Sequence, residues 1–455
     1  MKLRFSGLWE NGRWLEPAYV EVDAAGKLLY LGDKAKALPG EYEQHEGYAL
    51  PGMINSHSHA FQYAMAGMSE SLTPEHDSFW TWREKMYQLA LSLDPDGAFR
   101  VAAMLYAEML RLGYTHVVEF HYLHHDPNGK PYDEPAAMAE SLMRAAQVVG
   151  IGITMVPIYY ETGDFGRPAS DGQRRFLSKD PAAYWKLWEA TARLANTYGA
   201  NLGWGWHSLR ACPKDRMHAL LKDAPANLPI HLHIAEQEKE VRACESYYGK
   251  RPIEWLCGEV SLDARFHLVH STHGSTAELK RLLSTQACVI LCPSTEGNLG
   301  DGFFDSTDWQ QNGGRWAIGT DSHIGLQVFE ELRWLEYGAR LQKQRRNVLC
   351  AIGNDCGETL FEEALGGGAS AGGLSTADLR VGESFSVVVW DAQAPLLAGP
   401  QKHRLSQMVF ALDSGQLYGT FARGKWQVKK QRHEKLDAIL PGFQTCLKEL
   451  WENQF

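Results

Sequence analysis

Two histidines separated by a single residue, His57 and His59, stand at the end of an apolar run in the segment LPGMINSHSHAFQ. On a β-strand, residues i and i+2 point to the same side, so these two imidazoles can bind one metal ion together. The same spacing also fits two structural histidines that are hydrogen-bonded in a core or lie on the surface. The metal interpretation therefore depends on further ligands elsewhere in the chain.

Polar side chains of the kinds that bind metals or move protons also follow five later apolar segments. In chain order, the five groups are His121 with Tyr122; His207 with Arg210; His231 with His233 and Glu236; His267 with His270 and His273; and Asp321 with His323. Burying such groups without partners costs free energy, and convergence on one metal ion explains these placements together. Three histidines and one aspartate form a ligand set suited to Zn²⁺, which lowers the pKa of a bound water from ~16 towards ~7.

Glu236 follows His233 by three residues, where the apolar segment gives way to a loop. A carboxylate in such a place can move protons to and from a metal-activated water. The structural alternative is an acid at a helix N-terminus, where the helix dipole favours negative charge. We expect the proton-transfer role if the metal interpretation holds.

The elements that must position these residues alternate along the chain. Short β-rich runs are followed by longer segments of helical character, which predicts βαβ units and a parallel sheet. The eight β-rich runs are YALPGMINSHSH, THVVEFHY, GITMVPIYY, NLGWGWHS, PIHLHIAE, RFHLVHST, ACVILCPS and RWAIGTDSH. Eight such units indicate an α/β fold with a closed (β/α)8 barrel, in which the candidate residues lie at the C-terminal ends of the strands. The glycine-rich motifs of nucleotide-binding folds do not follow the first strand.

Shorter strands precede and follow this region, too few at either end to bury a face alone. We therefore predict a small β-sandwich domain built from both chain ends, residues 1–47 and 366–432. It flanks a catalytic barrel at 48–365, and a C-terminal helical tail follows at 433–455. The segment LGGGASAGG is interpreted as a flexible connection, and QMVFALD as one of the returning strands.

Composition excludes several classes of protein. The chain of 455 residues carries a net charge of −10 and no long basic block, which argues against nucleic acid as a partner. Eight cysteines without a CxxC pair argue against a disulfide framework. The N-terminus lacks the apolar run of a signal peptide, and no apolar run approaches the ~20 residues of a membrane span. We predict a soluble, cytoplasmic protein without a membrane partner.

The motifs PGMINSHSH and His233-Ile-Ala-Glu236, together with His270 and Asp321, resemble the amidohydrolase superfamily, and its mononuclear deaminase branch in particular. The resemblance covers nearly the whole chain. It implies one Zn²⁺ per subunit, bound by His57, His59, His233 and Asp321. It also implies that Glu236, His270 and Asp321 move protons at the attacking water. No lysine follows the fourth strand, where binuclear relatives carry a carboxylated one, so a single metal ion is expected.

The segments HAFQYAMAGMSE, DSFWTWREKMY, HYLHHDPNGKPY and HSLRA are similar to the formimidoylglutamate deiminase family of histidine breakdown. That resemblance implies a homodimer that hydrolyses N-formimino-L-glutamate to N-formyl-L-glutamate and ammonia. A substrate with two carboxylates needs planar cationic groups, for which Arg83 and Arg210 are candidates. His207, Tyr122 and Gln62 are expected to add hydrogen bonds to the substrate.

Three alternatives stay open. A related deaminase of the same branch acts on a nucleobase such as guanine, and needs aromatic stacking rather than two cationic groups. A second alternative is another formimino or guanidino acid as substrate. The third is a non-catalytic barrel that serves as a scaffold, although such a protein is expected to lose ligands that are present here.

One residue departs from the family pattern. Trp206 stands before His207, where a proline is expected. We expect the indole to change the backbone freedom at this strand end and the wall of the pocket.

Overall fold

The computed structural model describes residues 1–36, 40–71 and 79–452. Three parts of the predictions lie outside these residues. They are residues 37–39 of the predicted β domain, the first two residues of the segment at 77–87, and the last three residues of the predicted C-terminal tail.

Eight parallel strands form the predicted barrel. They are Met53–Ser58, Tyr114–His121, Gly152–Tyr159, Trp204–Trp206, Ile230–Ile234, Phe266–His270, Cys288–Leu291 and Arg315–Ile318. Each strand pairs with the next along the chain, and a parallel bridge between Ser58 and Asp321 links the last strand region to the first. A further short strand, Asn201–Leu202, pairs with the third barrel strand. The predicted α/β barrel is therefore confirmed.

The barrel strands are buried on both faces because helices cover the outside. All residues of Ile230–Ile234 and Phe266–His270 are buried, as parallel sheets enclosed by helices require. Several helices begin at an aspartate whose side chain accepts a backbone N–H, as Asp94 does from Gly97 at 2.7 Å.

The helices of the described chain are Phe79–Ser92, Pro95–Arg111, Ala137–Val149, Pro181–Tyr198, Lys214–Asp223, Glu238–Tyr248, Pro252–Glu259, Thr276–Leu283, Pro293–Leu299, Ser306–Gln311, Val328–Lys343, Cys356–Ala371, Arg404–Phe410 and Leu436–Glu452. Short 3₁₀ helices lie at Ala60–Met65, Asp171–Phe176, Pro395–Ala398, Gln401–His403 and Ser414–Gln416. No helix among these described segments is both long and apolar enough to cross a membrane.

A second sheet combines strands from both ends of the chain, as predicted. Its nine strands are Lys2–Glu10, Arg13–Leu15, Ala18–Val22, Leu28–Gly32, Glu43–Pro51, Val387–Asp391, Leu417–Ala422, Lys425–Lys429 and Arg432–His433. Glu43–Pro51 joins the two halves, because it pairs with Lys2–Glu10 on one side and Val387–Asp391 on the other. Phe5, Val20 and Phe421 contribute to a core that is separate from the barrel core. The residue bounds of the two domains stay a prediction.

Two local predictions were wrong. The segment LGGGASAGG is not a flexible connection, because residues up to Ala371 belong to the helix Cys356–Ala371. Its glycines let this helix approach the barrel closely: a Cβ on Gly367 would lie 1.9 Å from Trp316 O. The segment QMVFALD is not a strand, because most of it lies in or just after the helix Arg404–Phe410. A short apolar run does not distinguish a buried strand from a buried helix.

His433 ties the second sheet to the barrel helices. Its ring is buried, Nε2 lies 2.9 Å from Val149 O, and Nδ1 accepts a hydrogen bond from Lys435 N–H at 3.1 Å. Both nitrogens are thus used by the neutral ring, and protonation would place a hydrogen against the Lys435 N–H. Burial lowers the pKa of His433 in the folded protein. Below about pH 6.5 the unfolded chain therefore binds more protons than the folded protein does. The free energy of unfolding consequently decreases as the pH is lowered.

We expect His433→Asn to lose less stability than the wild type between pH 7.5 and pH 5.0. The difference is at most about 2 kcal/mol, because each pH unit below about 6.5 contributes no more than about 1.4 kcal/mol per titrating group. Urea unfolding at both pH values measures it. The exposed His218→Asn serves as the control. Equal pH dependence in wild type and His433→Asn would contradict this role.

Candidate active site

Four potential metal-binding atoms converge at the C-terminal end of the barrel. His57 lies near the end of the first strand, His59 directly follows that strand, His233 belongs to the fifth, and Asp321 follows the eighth. His57 Nε2 lies 3.1 Å from His59 Nε2 and 3.0 Å from His233 Nε2. Asp321 Oδ1 lies 3.4 Å from His57 Nε2 and 3.2 Å from His59 Nε2. All four atoms lie within 4.8 Å of one another and belong to buried residues.

The outer ring nitrogens fix the state of two of these histidines. His59 Nδ1 lies 3.0 Å from Phe120 O, and His233 Nδ1 lies 3.0 Å from His207 O. A carbonyl oxygen only accepts, so both Nδ1 atoms carry a proton and each Nε2 is left as the atom that can bind a metal ion. Burial lowers the pKa of His57 to about 3, so its ring is neutral.

A cation explains why these nitrogens crowd together. His57 Nε2 faces the lone pairs of both His59 and His233, and at most one of these contacts can be a hydrogen bond. Its own Nδ1 is buried without a hydrogen-bond partner in the described structure. Three neutral imidazole nitrogens and one carboxylate oxygen form a donor set that fits a divalent metal ion.

Glu236 and His270 lie beside this cluster. Glu236 Oε1 is 3.6 Å from His270 Nε2, and both side chains are buried. Burial raises the pKa of Glu236. Burial alone would lower the pKa of His270, but the carboxylates of Glu236, Glu296 and Asp321 outweigh it and raise that pKa to about 10. The pair can therefore hold protons next to the metal ligands.

The strand ends that carry the site are strained. Ala235, His270, Ser271, Asp321 and His323 all have positive φ, from 47° to 70°. Each such non-glycine residue costs about 1–3 kcal/mol and persists only where the surrounding structure imposes it. The strain lies at the ends of the fifth, sixth and eighth strands, at or next to residues that carry the candidate chemistry.

Five residues predicted to bind substrate line one pocket together with His59, His233, Glu236, His270 and Asp321. They are Gln62, Arg83, Tyr122, His207 and Arg210. Gln62 Nε2 donates to Tyr122 OH at 3.1 Å, and Gln62 Oε1 is buried without a partner in the described structure. Every predicted site residue thus lies in or beside a single pocket, while the role of each stays a proposal.

The two arginines differ in their surroundings. Arg210 is buried, and its Nε lies 3.9 Å from Glu240 Oε1. Arg83 packs over the ring of Trp80, 4.3 Å from its centroid. Neither Nε atom has a hydrogen-bond partner among the described residues. Both guanidinium groups therefore retain donors for a ligand.

Several residues of the site region were not predicted. Glu119 holds the loop after the first strand, because it accepts from Ser58 Oγ at 2.7 Å and Ala60 N–H at 2.7 Å. The sequence feature that could have indicated Glu119 is a carboxylate inside an otherwise apolar strand. Glu296 accepts a hydrogen bond on the far side of His270, and it follows the seventh strand in CPSTEGN. Tyr160 and Phe176 line the pocket without a distinctive sequence signal.

Other histidines serve the fold. His231 and His267 stack at 4.7 Å, and their Nε2 atoms lie 3.0 Å from Ala371 O and 3.2 Å from Ser370 Oγ. They lie outside the four-residue cluster. Two further groups of potential ligands, His270–Cys292–Asp321 and Glu236–His270–Asp301, both use His270.

Trp206 does not form the wall of the pocket, contrary to expectation. It is fully buried and packs against Trp204 and Phe266, with ring centroids 6.0 Å and 6.3 Å away. The residue after it, His207, points to the pocket instead. Alternation along the strand separates the two side chains.

Comparison with known proteins identifies the family of the chain. Residues 48–427 match the model of the amidohydrolase family. A formimidoylglutamate deiminase of Pseudomonas aeruginosa is 42% identical over 440 residues, which cover 96% of each chain. The crystal structure of an amidohydrolase from Brucella melitensis superposes with a TM-score of 0.92, at 39% identity and 99% coverage of both chains.

A more distant structure shares the fold. An adenosine deaminase from Xanthomonas campestris with bound zinc gives a TM-score of 0.80 at 20% identity, over 99% of this chain and 98% of that one. The family match spans most of the chain and includes every residue of the candidate site. The protein is therefore a hydrolase that belongs to the amidohydrolase family.

Proposed function

We propose that this hydrolase is a zinc-dependent formimidoylglutamate deiminase, which converts N-formimino-L-glutamate and water to N-formyl-L-glutamate and ammonia. One observation carries the proposal: a single pocket contains a metal-binding cluster, a proton-holding pair and two arginines. The 42% identity to a deiminase of that name supports the same substrate. The homodimeric state and the cytoplasmic location stay predictions.

The metal would be held by His57, His59, His233 and Asp321. Zn²⁺ suits three imidazole nitrogens and a carboxylate oxygen, and when bound it supplies a water acidic enough to react at neutral pH. The same ligands also accept other divalent ions, so the metal content must be measured.

The proton transfers are assigned to three side chains. Asp321 Oδ2 and His270 Nε2 lie 3.8 Å apart, where they orient the attacking water and Asp321 accepts its proton. The water oxygen bonds to the formimino carbon, while Glu236 delivers a proton to the imino nitrogen. The proton that Asp321 took from the water then reaches the same nitrogen as its bond to carbon breaks, and ammonia leaves. The hydroxyl proton of the intermediate passes to Glu236 as the formyl C=O forms, which restores both side chains.

The carboxylates of the substrate would bind to the cationic side of the pocket. Arg83 and Arg210 offer planar guanidinium groups, which bind carboxylates through two parallel hydrogen bonds. Gln62, Tyr122 and His207 lie on the same wall and can donate or accept hydrogen bonds. A ligand with two carboxylates satisfies both arginines at once.

Ammonia release separates this proposal from its alternatives. We expect purified, zinc-loaded protein to release ammonia from N-formimino-L-glutamate, and not from N-formimino-L-aspartate, guanine or cytosine. Aromatic rings of Phe79, Trp82 and Phe176 also line the pocket, so the nucleobases are a fair test. Turnover of guanine alone would contradict the substrate assignment.

Metal removal is expected to abolish turnover. Dialysis against a chelator should lower the rate by at least about 100-fold, because the reacting water loses its activating ion. Addition of Zn²⁺ should restore the rate, and elemental analysis should find one ion per chain. Full activity of chelator-treated protein with no detectable metal would contradict the metal assignment.

A further inference from the structure

His270 presents its two ring nitrogens to different carboxylates. Nε2 lies 3.6 Å from Glu236 Oε1 and 3.8 Å from Asp321 Oδ2. Nδ1 lies 3.2 Å from Glu296 Oε1. The residue is 1% exposed, so its ring has little contact with bulk solvent. The orientation of the ring is therefore set by these side chains.

Glu296 is held by the start of its own helix. The helix Pro293–Leu299 begins directly after the seventh barrel strand and Cys292. Glu296 Oε1 accepts a hydrogen bond from Cys292 N–H at 3.0 Å, and Glu296 N–H donates to Cys292 O at 2.8 Å. Main-chain groups at a strand end thus fix the carboxylate beside His270. Glu296 does not line the pocket that holds the other candidate residues, so we expect it to act through His270.

We propose that Glu296 is the positioning residue of His270, an inference that rests on the proposed deimination. A carboxylate accepts hydrogen bonds and does not donate them, so Nδ1 of His270 carries a proton while the two groups are bonded. Nε2 is then the ring atom that faces Glu236, Asp321 and the reacting water. Fixing the direction of an imidazole ring through its other nitrogen is a general role of carboxylates in enzymes.

The test compares Glu296→Gln with a matched control, Glu331→Gln. Glu331 is also buried, and it accepts a hydrogen bond from Ser294 N–H at 2.9 Å in the same helix. Burial raises the pKa of Glu331 to about 8, so glutamine resembles its neutral form. The control therefore perturbs the same helix without touching His270.

We expect Glu296→Gln to lower kcat by about 10²- to 10⁴-fold, because the neutral amide removes the carboxylate charge opposite Nδ1 and can turn its N–H groups toward that nitrogen, so the ring loses its fixed direction. KM should change by less than about threefold, and the metal content should stay the same. Glu331→Gln should keep kcat within about threefold of the wild type. The double variant Glu236→Gln/Glu296→Gln should lose little more than Glu236→Gln alone, because the two residues act as one unit.

Three results would overturn the inference. They are an unchanged kcat for Glu296→Gln, a parallel loss of kcat, substrate binding and metal content, and independent losses that multiply in the double variant. All rates are measured with the compound that the wild type turns over. If that compound is not N-formimino-L-glutamate, the proposed function fails while the role of Glu296 is still tested. A wild type that is inactive on every compound overturns both.

Discussion

Glu236→Gln is expected to retain the bound metal and to lower kcat by about 10²- to 10⁴-fold, the usual contribution of a general acid–base group. The glutamine keeps the size of the side chain but cannot carry a proton to the leaving nitrogen. Glu236 is not one of the four metal ligands, and its N–H bond to Glu240 Oε2 at 3.1 Å does not involve its side chain. Steady-state kinetics and elemental analysis of the same preparation measure the effect.

The control for this variant is Glu238→Gln, two residues further along the chain. Glu238 is exposed and pairs with Arg242 rather than with the site. Its replacement should leave kcat and metal content unchanged. Near-normal turnover by Glu236→Gln would remove Glu236 from the mechanism, and loss of the metal would show a structural role instead.

Arg210→Met is expected to raise KM by about 10²- to 10⁴-fold with a smaller change in kcat. The methionine removes two charge-assisted hydrogen bonds to a carboxylate, each worth about 1.5–3 kcal/mol. If the arginine holds substrate and transition state equally, the loss falls on KM. Initial rates over a wide range of N-formimino-L-glutamate concentrations separate the two constants.

Arg210→Met also leaves the buried Glu240 without its neighbouring cation, so a second variant is needed. Arg83→Met provides it, because no carboxylate among the described residues forms an ion pair with Arg83. Arg216→Met is the control, since Arg216 pairs with Glu161 at 3.0 Å and does not line the pocket. An unchanged KM in both Arg83→Met and Arg210→Met would remove the carboxylate-binding role of these residues.

Much of the barrel and of the metal cluster could be predicted from local patterns. Strand periodicity places His57 and His59 on one side, and the C-terminal ends of parallel strands meet at one rim. The residues at those ends therefore converge, whatever the details of the loops. The same reasoning gave His233 and Asp321 as two of several candidates, and only the resemblance to a family selected them over neighbours such as His231 and His323.

What could not be predicted depends on tertiary contacts. Gly367 looks like part of a flexible linker in sequence, yet it allows a helix to pack within contact distance of Trp316 O. Glu296 carries no motif, and its proximity to His270 follows from the packing of two adjacent βα units. Trp206 points away from the pocket because its side chain alternates with that of His207 along the strand. The proline expected from the family pattern gave no indication of this direction.

The bridge between Ser58 and Asp321 has a consequence for synthesis of the chain. The ribosome releases His57 and His59 early, but Asp321 emerges more than half a chain length later. Two backbone hydrogen bonds between the first strand and the segment after the eighth strand also form at that late stage. They join Asp321 N–H to His57 O at 3.0 Å and His59 N–H to Asp321 O at 3.2 Å. The second sheet likewise waits for Val387–Asp391. A nascent chain therefore carries an incomplete set of the proposed metal ligands until Asp321 emerges, and the onset of metal binding can report the moment at which the barrel closes.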